Sequence, residues 1–223
     1  MGNIEQNLYA ELNTNHLLEL ILRYPHKPWC WYSVSHNSNI TWDIVQQYPG
    51  FPWHTTGLSK NPNITWYIVS QNLQSNKPLD WNWYGLSSNK TITWDIIKQH
   101  HMQRWDNKAI SMHPNITWEI ILKDMKSTNY IKWDFTYVSQ NPNITWDIIK
   151  NTMHIPKYRW NWYWVSRHPN ITWCDICDTI YTNTYNQEAV APWVWYGVSQ
   201  NPNITWDIVE QNPEFPWKWS CLS

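Results

Sequence analysis

The chain has 223 residues, room for one or two domains, and 16 Lys+Arg against 17 Asp+Glu give it a net charge of −1. Near-neutrality makes a poor general binder of polyanions, whose phosphate affinity comes mainly from clustered cations. Five glycines argue against a glycine-rich nucleotide loop, and no apolar run reaches the 18 residues expected of a membrane-spanning helix.

Residues 1–12 read as a leader. The early apolar stretch Leu17–Leu22 carries Glu19 and lacks a basic lead-in or a small-residue cleavage site, so no signal peptide is expected. From residue 13 onward the chain repeats itself, with copies starting near 13, 37, 61, 89, 113, 141, 168 and 201. One motif, Asn-Pro-Asn-Ile-Thr-Trp-Asp-Ile-Val, is nearly intact at 61–69, 141–149 and 201–209, and varied at 37–45, 89–97, 113–121 and 168–176. In the worn first copy Leu18 stands in the tryptophan slot, followed by Glu19, Leu20 and Ile21. A second motif has Trp, an apolar residue five positions later, then Ser, and begins at Trp29, Trp53, Trp81, Trp105, Trp133, Trp160, Trp193 and Trp217.

The first motif predicts a helix A opened by Trp42, Trp66, Trp94, Trp118, Trp146, Trp173 and Trp206. The second predicts a helix B opened by its own tryptophan. From each B tryptophan to the next A tryptophan the distance is always 13 residues, whereas from A to B it is 11, 15, 11, 15, 14, 20 and 11. A constant length marks a fixed turn and a changing one a surface loop. The repeat of 24 to 33 residues falls in the range of stacked units, and the fold expected is an all-α solenoid of about eight short two-helix repeats over 13–223.

Thr41, Thr65, Thr93, Thr117, Thr145, Thr172 and Thr205 precede the A helices, where a side-chain oxygen can accept from a first-turn amide. The next slot after the A tryptophan is often acidic, suiting the positive helix start. Asp175 is placed to complete a capping box with Thr172. Pro28, Pro52, Pro192 and Pro216 precede B tryptophans, as proline does at helix starts. Seven residues past the A slot, Pro25, Pro49, His101 and Pro213 end helix A early. Leu73, Met125, Met153 and Ile180, at the same place in the other repeats, let it run about one more turn.

The two motifs together resemble the tandem tryptophan-rich repeats encoded by giant viruses of amoebae, the mimivirus group, over residues 13–223. That resemblance implies a viral repeat protein of uncharacterised function, residing in host cytoplasm or virion rather than secreted. It brings no catalytic residues with it.

Few residues invite chemistry. The Asn-Ile-Thr triplets at 39, 63, 115, 143, 170 and 203, with Asn89-Lys90-Thr91, match a glycosylation signal, but capping explains a Thr at one fixed point per repeat. Cys174 and Cys177 form a lone CxxC without the further ligands a metal needs, and reduced thiols are expected of all four cysteines. His113 and His168 occupy the slot held elsewhere by Asn, favouring turn chemistry. No catalytic, cofactor or metal residues are assigned. The reading is a non-enzymatic scaffold for protein–protein contact, with single-stranded nucleic acid or glycan binding through exposed Trp and Tyr as the alternative. Trp31, Trp83, Trp162, Trp164, Trp195 and Trp219 are the tryptophans least fixed by the repeat and the best surface candidates. The contact residues expected are Tyr181, Asn183, Tyr185, Gln187 and Glu188, on the longest A-to-B loop (181–191), together with Trp164.

Overall fold

The computed structural model describes residues 15–127, 131–186 and 191–222. Among them there are fifteen α-helices, one 3-10 turn and no strand. The A helices are α1 (His16–Arg23), α3 (Trp42–Gln47), α5 (Trp66–Leu73), α7 (Trp94–Gln99), α9 (Trp118–Lys126), α11 (Trp146–Thr152), α13 (Trp173–Asn186) and α15 (Trp206–Gln211). The B helices alternate with them: α2 (Trp31–His36), α4 (Thr55–Lys60), α6 (Trp83–Ser87), α8 (Asn107–Ser111), α10 (Phe135–Val138), α12 (Trp162–Arg167) and α14 (Trp195–Val198), with the 3-10 turn Trp219–Cys221 in the eighth B position. The chain divides into two compact units, Met1–Trp105 and Asp106–Ser223.

Seven A helices begin at the expected tryptophan. The B helices do not. Each starts two residues after its B tryptophan, which sits instead at the end of a tight turn, its amide bonded to the carbonyl two residues back, as in Trp53 N–H to Phe51 at 2.8 Å and Trp193 N–H to Ala191 at 2.9 Å. Pro28, Pro52, Pro192 and Pro216 are the centres of four such turns, which suit proline's fixed φ; they do not open helices.

The indole explains why the tryptophan stays out of the helix. Every B tryptophan donates its Nε1–H to the residue six positions after the A slot. Where helix A stops early, the acceptor is the backbone carbonyl of the capping residue: Tyr24, Tyr48, His100 or Asn212. Where helix A continues to or beyond that residue, its side chain accepts instead: Asn72 Oδ1, Asp124 Oδ2, Thr152 Oγ1 or Thr179 Oγ1, at 2.7 to 3.1 Å. The four early-stopping helices are those with proline or His101 at the next position, as expected, and the other four run on.

Successive repeats within a unit are tied by a buried polar ladder. Asn61 Nδ2 donates to the carbonyls of Ser35, Asn37 and Ile40, and Asn89 does the same to Ser59, Asn61 and Ile64. In the second unit Asn141 reaches Ser111, His113 and Ile116, and Asn201 reaches Ser166, His168 and Ile171. The recurring serine of the B motif is the second rung. Its hydroxyl accepts the amide that follows the next B tryptophan, as in His54 N–H to Ser35 at 2.9 Å and Asn161 N–H to Ser139 at 2.9 Å.

The fully buried core is aliphatic rather than aromatic. It comprises the Ile two before most A tryptophans (such as Ile40, Ile64, Ile116, Ile144), the Val or Ile three after them (such as Val69, Ile97, Ile121, Ile149), and the apolar residue of helix B (such as Leu58, Leu86, Ile110, Val165). Each loses most of its apolar surface to neighbours, about 1.5–3 kcal/mol per side chain before entropy is charged. The tryptophans form a seam beside this core, with Trp81, Trp146, Trp160 and Trp217 buried and most of the others half-buried. An A tryptophan lies against the B tryptophan of the next repeat at centroid distances of 5.2 to 6.0 Å, as in Trp146 with Trp193 and Trp42 with Trp81.

Close approach of B helices requires glycine. A Cβ on Gly57 would lie 2.6 Å from the Tyr32 carbonyl, and one on Gly197 would lie 2.6 Å from the Tyr163 carbonyl. Gly57, Gly85 and Gly197 share one register, four after the B tryptophan, facing the ladder serine of the preceding repeat.

Candidate functional site

Most residues whose chemistry the sequence advertises are occupied in the architecture. Thr41, Thr93, Thr117 and Thr205 accept the expected first-turn amide, at 3.4 to 3.5 Å. Thr172 and Asp175 form the full capping box. Thr65 and Thr145 make no side-chain cap bond, so capping fails at two of the seven positions. The sequon asparagines are engaged as well. Asn143 Nδ2 donates to the carbonyls of Pro114 and Ile116, and Asn63, Asn170 and Asn203 make the equivalent pair of bonds to the repeat before. A glycan on that nitrogen would remove one of its two hydrogens and so break at least one of these bonds.

His168 fills the ladder slot with a ring in place of an amide. Its Nε2 faces the Asn141 carbonyl at 3.0 Å, and its Nδ1 accepts the Asn170 amide at 3.1 Å. Nδ1 as acceptor fixes the neutral tautomer with its proton on Nε2. Burial pushes the imidazole below its ordinary value, against the opposing pull of the Asn141 carbonyl. His113 accepts the Asn115 amide in the same way, at 3.0 Å.

The four cysteines are free thiols. A hydrogen bond from Ser33 holds exposed Cys30 below its usual value, whereas burial, with Cys174 beside it, pushes Cys177 up. Among the described residues no group of three or more His, Cys, Asp or Glu is placed to hold a metal, and no helix is long and apolar enough to cross a membrane.

The tryptophans singled out as surface candidates are mostly packed. Trp31, Trp83, Trp162 and Trp195 stand edge-on to Trp53, Trp105, Trp193 and Trp217 at 5.1 to 5.5 Å. Trp164 is half-buried against Tyr163, with Arg167 over its ring. Only Trp219 of the six is open, at 62% exposure; the A tryptophan Trp206 is 59% exposed beside it. The expected loop from 181 is helix through Asn186, because α13 continues where a proline ends its shorter counterparts. Tyr181 is exposed on that helix. Gln187 and Glu188 lie outside the described residues, as do the side chains of Asn183 and Tyr185.

One surface feature is left over by the architecture. In the second unit a groove of about 440 Å³ runs over the start of α8 and the turns that precede α10 and α12, and its charged lining is Lys108, Lys132, Lys157 and Arg159 with Asp134. All four cations are exposed, and among the described residues none is in an ion pair. Lys108 lies 5.5 Å from the Tyr137 ring centre and Lys157 lies 4.8 Å from that of Tyr158, so both chains are held over aromatic faces. Asp134 is occupied, its Oδ1 accepting the Thr136 amide at 3.0 Å as the cap of α10. The acids of the A motif stand elsewhere, exposed at the starts of α9 and α11 as Glu119 and Asp147.

Reading the sequence for repeats passed over this groove, because a charge is a departure from the pattern rather than part of it. A signal was present nonetheless. Lys132 and Arg159 occupy the turn centre that carries proline in four other repeats. No family model, curated protein or solved structure matches the chain.

Proposed function

We propose that the repeats stack as an α-solenoid that serves as a non-enzymatic scaffold for contact with other proteins. On the resemblance to giant-virus repeats, its place is the host cytoplasm or the virion. The observation that carries this reading is the groove of the second unit, whose four exposed cations face one acid, Asp134, and form no ion pair among the described residues, on a framework whose buried asparagines, serines and histidines are consumed in holding repeats together. Binding surfaces collect on the parts of a rigid scaffold that its own packing does not use. Packing also favours protein over nucleic acid as partner. Stacking of bases needs open ring faces, and four of the six candidate indoles are edge-on to a neighbouring tryptophan.

Affinity capture from infected amoebae, using the wild-type chain and a Lys132→Glu/Arg159→Glu variant, tests the proposal. A set of proteins retained by the wild type and lost by the variant supports it. Recovery of nucleic acid with no protein above a bare-resin control overturns it.

A further inference from the structure

We infer that the groove of the second unit docks an extended acidic segment of a partner protein, wound like polyproline, with a carboxylate at every third residue. This rests on the scaffold reading and specifies its partner. The charge argument comes first. Lys108, Lys132, Lys157 and Arg159 share one groove in a chain of net charge −1, and the single acid among them, Asp134, is bound to the Thr136 amide. Four like charges at one surface repel each other, and an anionic occupant relieves that repulsion.

The spacing argument follows from the repeat. Lys132 and Arg159 hold the same register in neighbouring repeats, each just before its B tryptophan. Packed helices stand about 8–10 Å apart, so these two cations recur at roughly that interval. A polyproline-type segment advances about 3.1 Å per residue and brings its side chains back to the same side every three residues, about 9 Å. A β-strand returns to the same side after about 6.7 Å, and next after about 13 Å, and so misses the interval. Lys108 and Lys157, steadied over tyrosine rings, border the same groove and need little ordering to engage a carboxylate.

Nucleic acid fits the groove less well, because its aromatic members are held in the packing: Phe135 is buried, and Trp133 is half-buried and fixed by its indole N–H to Asp124 at 2.9 Å.

The test is fluorescence anisotropy of a labelled peptide of Glu-Pro-Pro triplets titrated with the full chain. A peptide of the same composition with its glutamates contiguous, and a thymidine oligonucleotide of matched charge, serve as comparisons. The triplet peptide is expected to bind tightest and to weaken as salt rises. Lys132→Glu/Arg159→Glu should weaken it roughly tenfold or more, while Lys150→Glu, on the surface of α11, leaves it unchanged. Far-UV circular dichroism should show the same melting curve for all three proteins. Equal binding by wild type and double variant, or tighter binding of the contiguous peptide or the oligonucleotide, overturns the inference. If the triplet peptide does not bind but protein capture by the wild-type chain persists, this groove assignment falls and the scaffold reading stands. If both are lost, both fall.

Discussion

Removing one ladder amide should cost far more than truncating the threonine that precedes helix A in the same repeat. Asn141 is fully buried; its Nδ2 donates to the carbonyls of Ser111, His113 and Ile116 at 3.0 to 3.1 Å, and its Oδ1 accepts the Asn143 amide at 2.9 Å. In Asn141→Ala the Ile116 carbonyl keeps its bond from Asn143 Nδ2, and the His113 carbonyl keeps the Ile116 amide. The Ser111 carbonyl is stranded, at about 1–3 kcal/mol for a buried acceptor, and each remaining lost bond adds about 0.5–1.5 kcal/mol. With three such bonds, to His113, to Ile116 and from Asn143, the sum is about 5 kcal/mol. Thr145→Ala, at an exposed residue with no cap bond, should cost under about 0.5 kcal/mol. Asn141→His is the discriminating variant. The chain itself places His168 in the equivalent slot, where the ring keeps the acceptor for the following turn and one of the donors. It should cost about half as much as the alanine. Guanidinium unfolding followed by far-UV circular dichroism reads all three, with Asn61→Ala as the matching change in the first unit, so that the transition belonging to each unit is identified. Equal losses for Asn141→Ala and Thr145→Ala, or for the alanine and histidine variants, would refute the ladder as the tie between repeats.

The His168 imidazole is held below its ordinary value, so the fold binds fewer protons than the unfolded chain, and stability is complete above about pH 6.5 and falls as pH drops from there toward the lowered folded value. His168→Asn should flatten that acid limb, read as the shift in unfolding midpoint between about pH 7.5 and 5.5. Gly57→Ala, whose Cβ would meet backbone at 2.6 Å, should lose about 1–3 kcal/mol, while Gly50→Ala, with nothing within 4 Å, should be neutral by the same unfolding measurement. Trp146→Ala removes a side chain only 7% exposed and tilted against Trp193 at 5.2 Å, and should lose about 3–5 kcal/mol. Trp206→Ala, at 59% exposure, should lose under about 1 kcal/mol; similar losses would show that the indole seam carries no stability.

What the sequence makes visible is the part of the architecture that recurs within one repeat. Helix A opens at its tryptophan because everything needed is local: a preceding Thr, an acid in the first turn, aliphatics on one face. The stop rule for helix A is local too, since proline acts where it stands. Interactions that cross from one repeat to the next are hidden. The constant Asn61, Asn89, Asn141 and Asn201 can be seen to recur, but their partners lie 21 to 35 residues back and are carbonyls, which have no letter. The same blindness misplaces helix B. Its tryptophan looks like a helix opener because it precedes an apolar run, yet the indole must stay in the turn to reach the preceding A helix. Side-chain caps two residues after the expected register cannot be seen until that shift is known, as with Asn82 accepting from Gly85 and Asn161 from Trp164. The cationic groove is hidden for a further reason, since it is built from positions where neighbouring repeats differ.

The two ways of receiving an indole proton bear on how such a chain can change length. Lengthening helix A directs the carbonyl at its sixth position along the helix, and a Trp N–H aimed there loses its partner unless a polar side chain already stands at that position. Insertion alone is therefore penalised, whereas substitution alone at an early-stopping repeat leaves the carbonyl in service and costs little. The order of events is constrained: polar residue first, extra turn second. Of the four early-stopping repeats, His100 and Asn212 already carry such a side chain at this position, whereas Tyr24 and Tyr48 carry a phenol whose hydroxyl lies too far out on its ring. Growth by insertion is open to the fourth and eighth repeats today, and closed to the first two until a tyrosine is exchanged.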